Sequence, residues 1–216
     1  MIPIFIITKD RLTCLKKAIE SYKKLGDIEL IFHDMGSTYP PLLDFLKKQK
    51  NVVYYQNRIG REGLSSVSQT IKDWFAVNEG DYYIVTDPDI VLKTPSEKIL
   101  PFFKKLLDKF PKVKVVGSHV NVPSDLPIKY GHYDKLFWEL PKEELDGIKY
   151  FQKSTIDTTF GMYRKSFTFS RHNEGIRVAE PCVAEHLGWF MDLDNEEDKY
   201  YLDNADPQIC TFKRDK

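Results

Sequence analysis

Two carboxylates stand two residues apart where an apolar run stops, in Asp81-Tyr82-Tyr83-Ile84-Val85-Thr86-Asp87-Pro88-Asp89-Ile90. In an extended backbone the side chains at i and i+2 point the same way, so Asp87 and Asp89 are expected to aim at one spot beyond a strand end. Convergent carboxylates suit a hard divalent cation. Pro88 fixes its own φ and favours an extended Asp87, as at the exit of a strand. The spacing alone is weak, because ordinary Asp content produces it by chance on the order of once per few hundred residues. Asp192-Leu193-Asp194 repeats it but runs into Asn195-Glu196-Glu197-Asp198, which reads as a solvated acidic helix start.

The elements that must position Asp87 and Asp89 come earlier in the chain. Residues 2 to 7 are continuously apolar, as expected of a strand buried on both faces of a parallel sheet. A helix follows, with Asp10 as its cap and Leu12, Leu15, Ile19, Tyr22 and Leu25 at helical spacing, closed by Gly26-Asp27. Ile28 to Phe32 reads as the second strand, and it leads into the polar turn His33-Asp34-Met35-Gly36-Ser37-Thr38. Tyr39 to Lys48 reads as a helix with Pro40 and Pro41 in its first turn. Asn51 to Tyr55 reads as a third strand, followed by the loop Asn57 to Gly63 and a helix to about Val77. This alternation predicts a βαβ array whose ligand crevice lies at the carboxyl ends of the strands. Thr8 to Arg11, Asp34 to Thr38, Asn57 to Gly63 and Asp87 to Asp89 are therefore expected on one rim. A helix over Lys93 to Phe110 and a strand over Val113 to Gly117 continue the pattern. Ser118 to Lys149 loses periodicity and reads as a loop-rich cover, Thr155 to Arg164 as a strand, and Asn195 to about Tyr201 as a helix.

The 216 residues are 42% hydrophobic and 13% aromatic, enough for a core in a single globular unit. With 32 basic and 32 acidic residues the total charge recommends no nucleic-acid partner, so any anion site must be local. Cys14, Cys182 and Cys210 lack metal-ligand spacing and their odd number argues against a disulfide framework, which fits a reducing, cytoplasmic setting. The apolar opening Met1 to Ile7 is too short for a membrane span and reads as a strand, so a soluble domain, alone or within a larger protein, is expected.

The chain has no Gly-x4-Gly-Lys-Ser/Thr loop, no Gly-x-Gly-x-x-Gly after the first strand, no Gly-x-Ser-x-Gly elbow and no His-Glu-x-x-His helix. A metal with a diphosphate remains. Ile6-Ile7-Thr8-Lys9-Asp10-Arg11, then Asp34-Met35-Gly36-Ser37-Thr38, then Thr86-Asp87-Pro88-Asp89 resemble, in order and spacing, the three landmarks of GT-A fold, Asp-x-Asp glycosyltransferases. The resemblance covers roughly residues 1 to 120. The Tyr-Tyr-x-Val-Thr-Asp-Pro-Asp and Asp-x-Thr-Phe strings are also similar to small bacterial and viral transferases.

The resemblance implies an α/β, Rossmann-like, mostly parallel central sheet flanked by helices. Residues 1 to 120 would form a nucleotide-binding half and 121 to 216 an acceptor half of one domain. It implies transfer of a hexose or deoxyhexose from a UDP-sugar to an acceptor hydroxyl on a glycan or protein-linked sugar, with Mn²⁺ or Mg²⁺. Thr8, Arg11, Asp34, Arg61 and Asp87 would meet the nucleotide, while Asp87, Asp89 and His186 would bind the metal. Asp157 would be the base, since a carboxylate in its largely apolar run is costly to bury without a role or partner. Trp189 would border the sugar. Met35 departs from the Asn or Asp usual before the Gly-Ser-Thr turn. Blander readings compete: Asp87 and Asp89 as caps, Asp34 as an Asx turn, Asp157 as half of an ion pair, and His186 as a core residue. A sugar-phosphate nucleotidyltransferase would want a Gly-rich loop after strand one, and a phosphohydrolase of the haloacid dehalogenase type its Asp-x-Asp on strand one. This chain has neither.

Overall fold

A computed structural model describes residues 1–54, 61–122, 142–170 and 173–205, with the backbone alone for 61–64. Strand β1 (Ile2–Thr8) is buried along nearly its whole length because its side chains alternate between two apolar layers. Ile4 and Ile6 face one layer, Phe5 and Ile7 the other. The first layer holds the buried faces of α1 (Leu12–Tyr22), α2 (Pro40–Leu46) and α4 (Ile99–Lys109). α1 supplies Leu15, Ala18, Ile19 and Tyr22, and α4 supplies Ile99, Phe102, Phe103, Leu106 and Leu107, both at three- and four-residue spacing. The second layer is closed by α3 (Arg61–Val77) through Val67 and Ile71. Each fully buried Phe or Ile contributes about 2 kcal/mol.

The remaining strands are β2 (Ile28–Asp34), β3 (Val52–Tyr54), β4 (Tyr82–Thr86), β5 (Ile90–Leu92), β6 (Val115–Ser118), β7 (Lys142–Leu145), β8 (Ile148–Ile156), β9 (Gly161–Arg164), β10 (Asn173–Val178) and β11 (Ala184–His186). Eight of them join β1 in one nine-stranded sheet in the order β3-β2-β1-β4-β9-β6-β10-β8-β7, in which only β8 and β9 oppose the others. The mostly parallel α/β sheet expected from the alternation is present. β9 sits between β4 and β6, pairing antiparallel with both, and Tyr83 of β4 stacks on Tyr163 of β9 with centroids 5.2 Å apart. Among the described residues no helix is long and apolar enough to cross a membrane.

Three sequence expectations are corrected. The strand over Thr155 to Arg164 is two strands of different pairing, β8 and β9, broken at residues 157–160, where Phe160 takes a positive φ of 57°. The helix expected from Lys93 begins only at Ile99. Asp10 does not cap α1: its φ of 47° turns it away, and Arg11 stands at the N-cap without a side-chain bond. The cover over Ser118 to Lys149 and the loop Asn57 to Gly63 lie largely outside the described residues.

Candidate active site

Register brings the first two rim loops together. Thr8 ends β1 opposite Asp34 at the end of β2, and the Thr8 hydroxyl donates to Asp34 Oδ1 at 3.2 Å. The same oxygen accepts from Ser37 Oγ at 2.5 Å, and Oδ2 accepts from the Ser37 amide at 3.0 Å. Asp10 Oδ1 accepts from the Thr38 and Tyr39 amides at 2.5 and 2.8 Å, so the residue expected to cap α1 instead holds the entry to α2. Lys9 Nζ donates to Gly36 O at 2.6 Å. Just before Asp34, His33 is clasped between Ser66 and Thr70 of α3, and burial lowers its pKa to about 4.

The third loop is built differently. Residues 87–89 do not continue β4 but turn, so Asp87 and Asp89 part company rather than sharing one strand face. The Asp87 amide donates to Thr158 O at 2.9 Å, and Thr158 Oγ1 donates to Asp87 Oδ2. That contact sets the half-buried Asp157 one residue from the partner of Asp87, outside the strand in which it was expected. Asp89 is 6% exposed, and its Oδ2 accepts from Arg11 Nη1 at 2.6 Å.

His186 reaches Asp89 through the two-stranded ribbon β5–β11, whose register places His186 opposite Ile90. His186 Nε2 lies 3.5 Å from Asp89 Oδ1. The chain then folds back in a 3₁₀ turn, Leu187–Phe190, whose Leu187 amide donates to Asp89 O at 2.8 Å. Trp189 packs on His186 with centroids 4.8 Å apart. Gly188 is pressed so close that a Cβ there would lie 2.4 Å from Asp89 Oδ2 and 2.9 Å from Arg11 Nη1. Behind the turn, buried Tyr22 donates to Ile90 O at 2.5 Å, and burial raises its phenol far above the ordinary range.

Arg11 is 4% exposed. Burial opposes its charge, but Asp89 first, then Cys14, Tyr201 and Asp198, hold the guanidinium above its ordinary pKa. Its Nη2 donates to Cys14 Sγ at 3.2 Å, and burial pushes that thiol up to about 11. The last helix among the described residues, α5 (Glu196–Asn204), falls where the sequence placed one and is capped by Asn195. What the sequence did not disclose is its target. Glu197 accepts from the Thr13 amide at 2.8 Å and hydroxyl at 3.0 Å, giving α1 the N-terminal cap that its own loop lacks. Tyr200 donates to Thr38 Oγ1 at 3.1 Å and packs on Tyr39, and the Tyr201 ring lies 5.2 Å from the Arg11 guanidinium.

The structure thus assembles Thr8, Arg11, Asp34, Asp87, Asp89, His186 and Trp189 around the strand ends. Among the described residues no three His, Cys, Asp or Glu side chains form a metal-holding group, and Asp87 Oδ2 accepts from Thr158. Arg61 opens α3, and its side chain lies outside the described residues. A cavity of about 500 Å³ lined by Lys16, Phe32, Phe45, Lys48 and Asn51 lies away from this rim, so chemistry rather than volume locates the site.

The architecture is GT-A-like. Among solved structures the chain is similar to a mannosyltransferase, PcManGT from Pyrobaculum calidifontis in complex with GDP-Man and Mn²⁺, with a TM-score of 0.54, 12% identity and 85% of this chain covered. It is also similar to TarS of S. aureus, with a TM-score of 0.52, 13% identity and 88% covered. The match spans 56% and 37% of those chains. No protein-family model and no curated protein sequence matches it.

Proposed function

We propose that this chain is a metal-dependent glycosyltransferase that moves a hexose or deoxyhexose from a UDP-sugar to an acceptor hydroxyl on a glycan or glycoprotein. The observation that carries the reading is the meeting of Asp89, His186 and Arg11 beyond β4, beside the β1 and β2 loops of a GT-A-like fold. The residues fit a divalent ion: Asp89 Oδ1 is buried and makes no hydrogen bond among the described residues, and His186 Nε2 lies 3.5 Å from it. A carboxylate oxygen with an imidazole suits Mn²⁺, and Mg²⁺ less well.

In this reading Asp89 and His186 hold the ion, and Asp87 joins them or the nucleotide. The bound ion would supply Lewis-acid stabilisation of the departing diphosphate. Thr8 and Arg11 would meet the nucleotide and Asp34 its base, and Arg61, which opens α3, is assigned to the nucleotide as well. Trp189 borders the sugar. In a single displacement the acceptor oxygen bonds the anomeric carbon as the bond to the diphosphate breaks, and Asp157 takes the hydroxyl proton. The test is to incubate the protein with Mn²⁺ and UDP-glucose, UDP-galactose and further UDP-sugars, and to measure released UDP. Release that disappears in Asp89→Ala is expected; a protein that neither binds nor cleaves any donor, with Asp89→Ala indistinguishable from it, would sink the proposal.

A further inference from the structure

Arg11 occupies an unusual place. It is buried against Asp89 of the β4 turn at 2.6 Å and lies 3.7 Å from Asp198 of α5, so it stands between carboxylates from two distant parts of the chain. Its Nε makes no hydrogen bond among the described residues, so the guanidinium is held by its tip alone. On the far side of Asp89, Oδ1 faces His186 with no hydrogen bond of its own, and Gly188 keeps the space beside Oδ2 and Nη1 free of a side chain. One carboxylate is therefore shared between a resident monovalent cation and a position suited to a second cation.

We propose that Arg11 is a resident counter-cation, traded for the divalent ion at Asp89 and passed to Asp198, so that metal binding and the seating of α5 are coupled. This rests on the metal reading of the site given above. Two like charges on one desolvated carboxylate repel, and a divalent ion outbids a guanidinium for a hard oxygen ligand. Asp198 is the acceptor already in place. Its Oδ2 receives the Asp192 amide at 2.9 Å and its Oδ1 faces Arg11. A guanidinium drawn to Asp198 tightens α5 on the same loops that Glu197 and Tyr200 hold. Metal occupancy would thereby be transmitted to a helix that makes no ligand bond. Arg11 acts in this scheme as a positioning residue whose charge sets metal affinity.

The sign of one substitution separates this from a purely structural role. A merely structural Arg11 would, when removed, loosen the site and weaken metal binding. A competing Arg11 would, when removed, strengthen it. The experiment titrates the whole chain with Mn²⁺ alone and reads the free ion by electron paramagnetic resonance, for the unaltered protein, Arg11→Met, Asp198→Asn and the double variant. Arg11→Met is expected to bind Mn²⁺ about fivefold more tightly, and Asp198→Asn several-fold more weakly, with most of the Asp198 effect gone in the Arg11→Met background. Hydrogen exchange supplies a second readout: Mn²⁺ should slow exchange in α5 of the unaltered protein and fail to do so in Asp198→Asn. Should Arg11→Met not fold, Asp198→Asn, altered at a more exposed side chain, carries the test through exchange alone. Mn²⁺ binding by the unaltered protein with equal or weaker binding by a folded Arg11→Met, or with strictly additive substitutions, overturns the trade while leaving the metal site standing. If neither the unaltered protein nor Arg11→Met binds Mn²⁺, the metal reading and the trade fall together.

Discussion

Asp34 closes β2 and Asp89 lies beyond the end of β4, the two strands that flank β1, and the chain treats them in opposite ways. Asp34 receives Thr8 and Ser37 on Oδ1 and the Ser37 amide on Oδ2, inside a knot stitched further by Lys9 and Asp10. Asp89 is also buried, 6% exposed against 1%, but gives one oxygen to Arg11 and leaves the other without a hydrogen bond among the described residues. Buried carboxylates are costly unless satisfied, so an incompletely satisfied one persists where something else completes it. The first knot shapes a loop; the second holds chemistry in reserve.

Substitutions can break this contrast. On the proposed function, Asp89→Asn is expected to reduce sugar transfer on the order of 10²- to 10³-fold, read as released UDP, because it weakens the proposed metal ligand and the partner of Arg11 together. Unchanged turnover would remove Asp89 from the site. Gly188→Ala drives a methyl group to 2.4 Å from Asp89 Oδ2, and is expected to lower Mn²⁺ affinity at least tenfold by order of magnitude and to cost about 1–3 kcal/mol of stability in a urea titration. A stable Gly188→Ala with full affinity would show that the crowding carries no consequence.

The pH dependence of stability sharpens the other side of the contrast. His33 takes a proton in the folded chain only near pH 4, whereas the unfolded chain takes it near its ordinary 6.5. Its contribution is therefore complete above pH 6.5 and is lost as pH falls from 6.5 towards 4. About 2 kcal/mol should be gone by pH 5. His119, lowered to about 3 by burial and then by Arg177, acts in the same sense. Thermal melts of His33→Gln should show a shallower decline between pH 6.5 and 5 than the unaltered protein; parallel curves would assign the decline elsewhere. Asp34→Asn is expected to cost about 1–2 kcal/mol, with UDP binding reduced through the loop's shape and the base contact proposed above. If stability and UDP binding are both unchanged, Asp34 neither holds the loop nor meets the base, and the contrast dissolves. Glu197→Gln should cost least, about 1 kcal/mol, the value of a helix cap.

Much of this architecture is legible in the residues. The short apolar runs of β1, β2 and β4, each bounded by polar turn residues, and the helical spacing of the buried stripe of α1 mark their elements, and the order of the rim loops follows from them. An Asx turn of Asp34 towards Gly36 is among the readings that the sequence allows, and the amide that Asp34 meets is that of Ser37. Three-residue strands carry no period, so the β5–β11 ribbon that delivers His186 has no local signature. β9 is paired by long-range neighbours, and the Asp157 loop therefore looked like uninterrupted strand. The sequence marks Glu197 as a helix-start residue, yet nothing local says that its carboxylate caps a different helix. Asp10 carries the inverse lesson, since a left-handed backbone sends a plausible cap to the next loop.

The insertion of β9 between β4 and β6 has a consequence for the growing chain. A nascent polypeptide that has emerged only through β6 contains the first two rim loops and Asp87-Pro88-Asp89, yet the slot beside β4 stays open until residues 161–164 leave the ribosome. Thr158 and His186 also arrive late. An incomplete chain would therefore leave β4 and β6 without the strand that joins them, a hazard for aggregation, and no assembled rim. Translation order itself withholds the rim until the sheet is whole, and pauses before residue 161 are where this protein should most need a chaperone.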